Sequence, residues 1–167
     1  FKEFPSEVAE LASMSMELIT MEYWNVYFNN EEELKRAKQT HLEDILKILP
    51  WIALIDKFQH WIYTHPEHTV QERMASWTDL QKQFSTGVAD WNGFENYKSA
   101  IWQKQLHLFE VPFYYIEYGI AQLGALGVWK NYRANQNVAL EKYLSALSLG
   151  YSASMYDIYS TAGVRFD

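Results

Sequence analysis

Cysteine is absent from the 167 residues, so the chain has no disulfide framework and no thiolate metal site. That fits a reducing, cytoplasmic setting. Basic residues are also in short supply, at 14 against 21 acidic ones, and the formal net charge is -7. A surface of that sign repels a phosphate backbone, which argues against a nucleic acid partner. Four prolines and seven glycines are scattered rather than clustered, and they leave no linker, internal repeat or low-complexity tract. No period-two alternation persists over a useful length, which removes the main signal for strands. The longest nearly apolar run, "VPFYYIEYGIAQLGALGVW", has Glu117 and Gln122 near its middle. Both would be costly in lipid, so the run reads as a buried helix and not as a membrane span. The pattern H-E-x-x-H occurs nowhere, so the usual helical pair of zinc histidines is missing.

What is abundant is aromatic. Rings make up 17% of the chain, including 7 Trp and 12 Tyr, which suits a dense core or a ring-lined groove. The length is enough to bury roughly 70% of the unfolded surface in one domain. The first residue is Phe1, and "FKEFPSEVAE" lacks the basic-then-apolar layout of a signal peptide. The expectation is therefore a piece of a longer chain, or a processed product.

Period 3.6 recurs throughout. A first helix opens at Pro5-Ser6, with Ser6 as its cap, and runs to Met21 or beyond. Asn30 caps a second helix whose first turn is acidic, with Leu34, Ala37, Ile45 and Ile48 on one side. Pro50 ends that helix or begins the next, and His65-Pro66 is the following break. Thr69 and Glu72 form a capping box for a helix reaching Phe84. "STGVADWNGF" is a loop, and a helix over 94 to 105 follows it. A long helix is expected from Pro112 to Ala134, in which Gly119, Gly124 and Gly127 permit close backbone approach. Two more follow, one ended by Gly150 and one capped by Ser152 or Ser154 and stopped by Gly163. The prediction is a single all-α unit over 1 to 167, a bundle of seven or so helices.

Three sets of residues have chemistry to offer. Glu10 and Glu17 stand seven apart in "ELASMSME", on one face of the first helix, and no Lys, Arg or His lies between Lys2 and Lys35 to answer them. A wet face is the ordinary explanation. A metal ion is the sharper one, with one carboxylate as ligand and the other orienting a ligand histidine. "HPEH" at 65 to 68 reads as a polar turn, because Pro66 prevents a regular helical presentation. His107, in a loop or at a helix end, precedes "PFYYIEY". On a helix Tyr115 and Tyr118 would share one face, and Tyr114 and Tyr118 another. Such phenols could donate to a developing oxyanion or be satisfied core tyrosines.

"FPSEVAELASMSMEL" followed far downstream by "HLFEVPFYYIEYGIAQLGAL" closely resembles the C-terminal catalytic part of the oligoendopeptidase F family, thimet-oligopeptidase-like zinc metallopeptidases. The likeness covers essentially the whole chain, including "FQHWIYTHPEHT" and "YSTAGVRFD". It implies a helical metallopeptidase in which one zinc ion is held by two histidines of an upstream H-E-x-x-H and by a later glutamate. That glutamate falls at Glu10, and Glu17 takes a supporting role. The family's downstream histidine and tyrosines, which bind substrate and stabilise the tetrahedral intermediate, fall at His107, Tyr115 and Tyr118. The family's glycine-rich strip before the last tyrosine is missing from "HLFEVPFYYIEY", which is one residue shorter. The implied partners are short peptides and the upstream part of the same enzyme. The chain alone, with one ligand of three and no general base, is expected to be inactive. A stand-alone helical interaction module with an aromatic groove is the competing expectation.

Overall fold

The structure, a computed structural model, describes residues 5–165. Residues 1–4 and 166–167, which include Phe1, the first residue of "FPSEVAELASMSMEL" and the last two of "YSTAGVRFD", lie outside the described residues. Among the described residues there are eight α-helices and no strand. They are α1 (Ser6–Thr20), α2 (Glu31–Thr64), α3 (Val70–Phe84), α4 (Glu95–Ala100), α5 (His107–Glu110), α6 (Ile116–Ala134), α7 (Gln136–Ser148) and α8 (Met155–Thr161). Short 3-10 segments follow α1 (Met21–Val26) and α4 (Ile101–Lys104). The all-α expectation is met.

The chain divides into two compact units, one made of residues up to Ile45 and from Glu117 onward, the other of Leu46–Ile116. In the first unit, α1 buries Val8, Leu11, Leu18 and Ile19, and α6 buries Ala121, Ala125, Val128 and Tyr132. Two buried tyrosines tie the C-terminal helices back to α1. Tyr143 donates to the Ala12 carbonyl at 2.9 Å, and Tyr159 to the Glu7 carbonyl at 3.2 Å. The small residues of α6 make this approach possible, since a β-carbon at Gly124 would lie 2.8 Å from Leu11 Cδ1. In the second unit the core is Leu54, Ile55, Phe58, Trp77, Leu80 and Trp102. Phe58 meets Trp77 edge-on at 5.0 Å, and the Trp77 indole donates to the Lys98 carbonyl at 3.0 Å.

Several local signals act as read. Asn30 accepts from the Glu32 amide, Thr69 and Glu72 form the reciprocal box at α3, and Ser154 accepts from the Asp157 amide. Gly150 and Gly163 end their helices with φ of 54° and 78°. Others do not. Ser6 is the first helical residue of α1, and Pro5, whose ring has no hydrogen-bonding atom to offer, stands at the cap position. Pro50 lies inside α2, which continues through it for 34 residues, about 50 Å of helix. Proline costs a helix roughly 3 kcal/mol. Here Pro50 and Leu46, whose carbonyl loses its partner, both lie on the exposed side, and the buried Ile52, Ile55 and Phe58 that follow offset the loss. Ile48, expected inward, is exposed. The helix expected from Pro112 starts four residues late, at Ile116, because Phe113 adopts φ 61°. The 94 to 105 helix tightens into 3-10 geometry from Ile101.

Candidate functional site

The late start of α6 changes the tyrosine geometry. Tyr114 and Tyr115 precede the helix and Tyr118 lies in its first turn, so the three do not stand on one run of helix. The turn has another effect. His107 opens α5, and the chain reversal at Phe113 brings both tyrosines back to its ring. His107 stacks almost parallel to Tyr114 at 5.9 Å between ring centres and tilts against Tyr115 at 4.9 Å.

Behind this trio stand two residues that sequence reasoning missed. Gln105 Nε2 lies 2.7 Å from His107 Nδ1, and the Trp51 indole donates to Gln105 Oε1 at 3.0 Å. Gln105 stands two positions before His107 with extended backbone, φ -87° and ψ 90°, while Leu106 between them has helical backbone, φ -56° and ψ -34°. That spacing could have flagged Gln105. Nothing local could have flagged Trp51, which is 54 residues from it. Burial pushes the Tyr115 phenol above its ordinary pKa, against the opposing pull of the Trp51 and Gln105 polar groups. The phenol is thus neutral at physiological pH and can donate a hydrogen bond.

In the first unit, α1 turns Val8, Leu11, Ser15, Leu18 and Ile19 inward. Glu10 is partly buried and Glu17 exposed. Among the described residues neither carboxylate has a hydrogen-bond or ion-pair partner. The residue of α6 that meets the start of α1 is Glu117, next to Tyr118. Its Oε2 is buried without a hydrogen-bond partner. Burial raises its pKa, the nearby Ser6 hydroxyl opposes that, and the Glu7 charge adds to it.

The described residues contain no group of three His, Cys, Asp or Glu side chains that could hold a metal ion. Zinc asks for about four donors, so these residues do not complete a zinc site by themselves, and Glu10 fits only as a single ligand of a larger set. The "HPEH" turn behaves as read. His65 stacks on Trp61, His68 Nδ1 meets the His65 carbonyl, and the Arg73 guanidinium donates to His68 Nε2. No helix among the described residues is long and apolar enough to cross a membrane.

Residues 2–167 match the model of Peptidase family M3. The fold is similar to PZ peptidase A, solved with inhibitor 2, at 31% identity and a TM-score of 0.85. It is also similar to a protein from Bacillus anthracis str. Ames assigned as an oligoendopeptidase F, at 30% identity and a TM-score of 0.73. Each comparison covers 95% of this chain, but only 28% and 25% of the respective relatives, so the chain spans about a quarter of their length. No curated protein matches it. The chain belongs to peptidase family M3. The helical fold and the peptidase family implied by the sequence motifs are thereby met.

Proposed function

We propose that the chain is the C-terminal part of the catalytic domain of a zinc oligopeptidase that hydrolyses short peptides. The observation that carries this reading is the family match across residues 2–167, joined to the His107–Tyr115 pairing at 4.9 Å in the stretch that bears the family likeness. Glu10 supplies one zinc ligand and Glu17 steadies a ligand histidine. The remaining ligands and the general base come from the upstream part of the same enzyme. Zinc, when bound, makes water nucleophilic near neutral pH.

The roles of this chain's own residues follow from their chemistry. His107 and Tyr115 bind the peptide, with the neutral Tyr115 phenol able to donate to a substrate carbonyl. Tyr118 donates to the scissile carbonyl oxygen as it gains charge, a contact whose removal costs roughly 3 kcal/mol of transition-state stabilisation. The aromatic surplus suits an extended peptide held by ring and backbone contacts.

The test is made in the full-length enzyme with a short fluorogenic peptide. Tyr118→Phe is expected to lower kcat about 100-fold or more while metal content stays at the parent level. Unaltered turnover removes Tyr118 from that role. Hydrolysis that resists complete metal removal would overturn the zinc mechanism itself.

A further inference from the structure

Gln105 is held between an indole and an imidazole, and the two partners are not equivalent. An indole nitrogen can only donate, so Trp51 Nε1, 3.0 Å away, decides which end of the amide faces it: the oxygen. The amide NH2 then faces His107 Nδ1 at 2.7 Å. An amide NH2 is itself only a donor, so Nδ1 must offer its lone pair. In a neutral imidazole with Nδ1 unprotonated, the proton sits on Nε2.

We infer that Trp51 and Gln105 are positioning residues that hold His107 as the Nε2–H tautomer, so that its ring meets the peptide substrate as a hydrogen-bond donor. This rests on the reading of His107 as a substrate-binding group. The alternative arrangement is penalised. An amide turned over to accept from an Nδ1–H tautomer sets its NH2 against the indole N–H and loses the Trp51 bond.

The surroundings keep each member of the relay in place. Trp51 is braced edge-on against the buried Trp77 at 5.7 Å, and the Lys104 ammonium sits 4.6 Å from the Trp51 ring centre. Tyr114 and Tyr115 contact the imidazole and restrict its rotation. A signal that starts at a half-buried indole on α2 therefore ends as a choice of proton position on the ring of His107.

The experiment uses the full-length enzyme with 15N-labelled histidine side chains, in which the 15N shifts of the two ring nitrogens report the tautomer. His107→Ala assigns the signals. The parent enzyme is expected to show Nε2–H. Gln105→Glu replaces the amide NH2 with an acceptor oxygen, and should place a proton on Nδ1 and lower kcat for a short peptide about tenfold or more, with KM changed less. Trp51→Phe frees the amide to turn over and should give a mixture of tautomers. An Nδ1–H parent overturns the inference whether or not a variant folds, as does a folded Gln105→Glu enzyme whose spectrum is identical to the parent. A switched tautomer with unaltered kcat overturns its bearing on the substrate. The spectra do not depend on turnover, so an enzyme inactive on every peptide would defeat the peptidase reading while the parent spectrum still decides this one.

Discussion

Gly124 lies so close to Tyr159 that a β-carbon added to the glycine would stand 2.5 Å from the ring's Cε1 atom. The ring cannot step aside, because it is fully buried and its hydroxyl is bonded to the Glu7 carbonyl. Gly124→Ala would gain up to about 1 kcal/mol of helix propensity, and overpacking of this kind costs about 1–3 kcal/mol. The expected net effect is a loss of about 1 kcal/mol in chemical denaturation. Gly127→Ala meets the Val164 side chain, its methyl groups at 3.1 Å, and should be close to neutral. Equal stability of the Gly124→Ala and parent proteins would contradict the packing described.

Alkaline stability should depend on Tyr132. Its hydroxyl lies 3.3 Å from that of Tyr23. That hydrogen bond, with burial and the nearby Tyr23 and Glu22 charges, pushes its pKa from 10.0 up to about 12. A phenol whose pKa is higher in the folded state stabilises fully below the unfolded value, and this contribution is lost as pH rises through the folded one. Denaturation midpoints should therefore hold to about pH 10 and fall towards pH 12. Tyr132→Phe should make that fall shallower. Superimposable pH profiles for the two proteins would refute the assignment.

Glu10→Gln in the full-length enzyme is expected to release zinc into a chelator far more readily than the parent, and Glu17→Gln to weaken retention about tenfold, as orienting partners do. Glu3→Gln and Glu7→Gln are the controls, since both carboxylates belong to the same opening stretch. Parent-like metal content in Glu10→Gln, with loss in one of the controls, would move the ligand to that residue.

The isolated 167-residue chain should neither cleave peptides nor bind zinc tightly. No three metal-binding side chains converge among the described residues. Equilibrium dialysis with zinc and a fluorogenic peptide assay give the check. Chelator-sensitive hydrolysis by this piece alone would count against the division of the catalytic site between it and an upstream segment.

Much of the helix plan was legible because its signals are local. Asn30, Thr69 with Glu72, and Ser154 each satisfy helix amides within three residues of themselves, so sequence neighbours carry the information. Glycines 150 and 163 likewise mark their own turns. Pro50 misled because its penalty is also local, whereas what carries α2 through it is the burial of Ile52, Ile55 and Phe58 against distant residues. Phe113 misled in the opposite sense. Its left-handed backbone delays α6, and no residue type announces a positive φ at phenylalanine.

The sequence by itself determined the class of the protein: an all-α chain with no cysteine, carrying His107, Tyr115 and Tyr118 in a stretch that resembles a peptidase family. Helix periodicity and motif identity need no knowledge of distant neighbours. Only the tertiary structure decided that Trp51 would reach Gln105 and so orient His107, because a hydrogen bond between residues 54 apart exists only once both backbones are fixed. The same holds for Gly124, whose lack of a side chain acquires meaning only when the Tyr159 ring arrives to occupy the space.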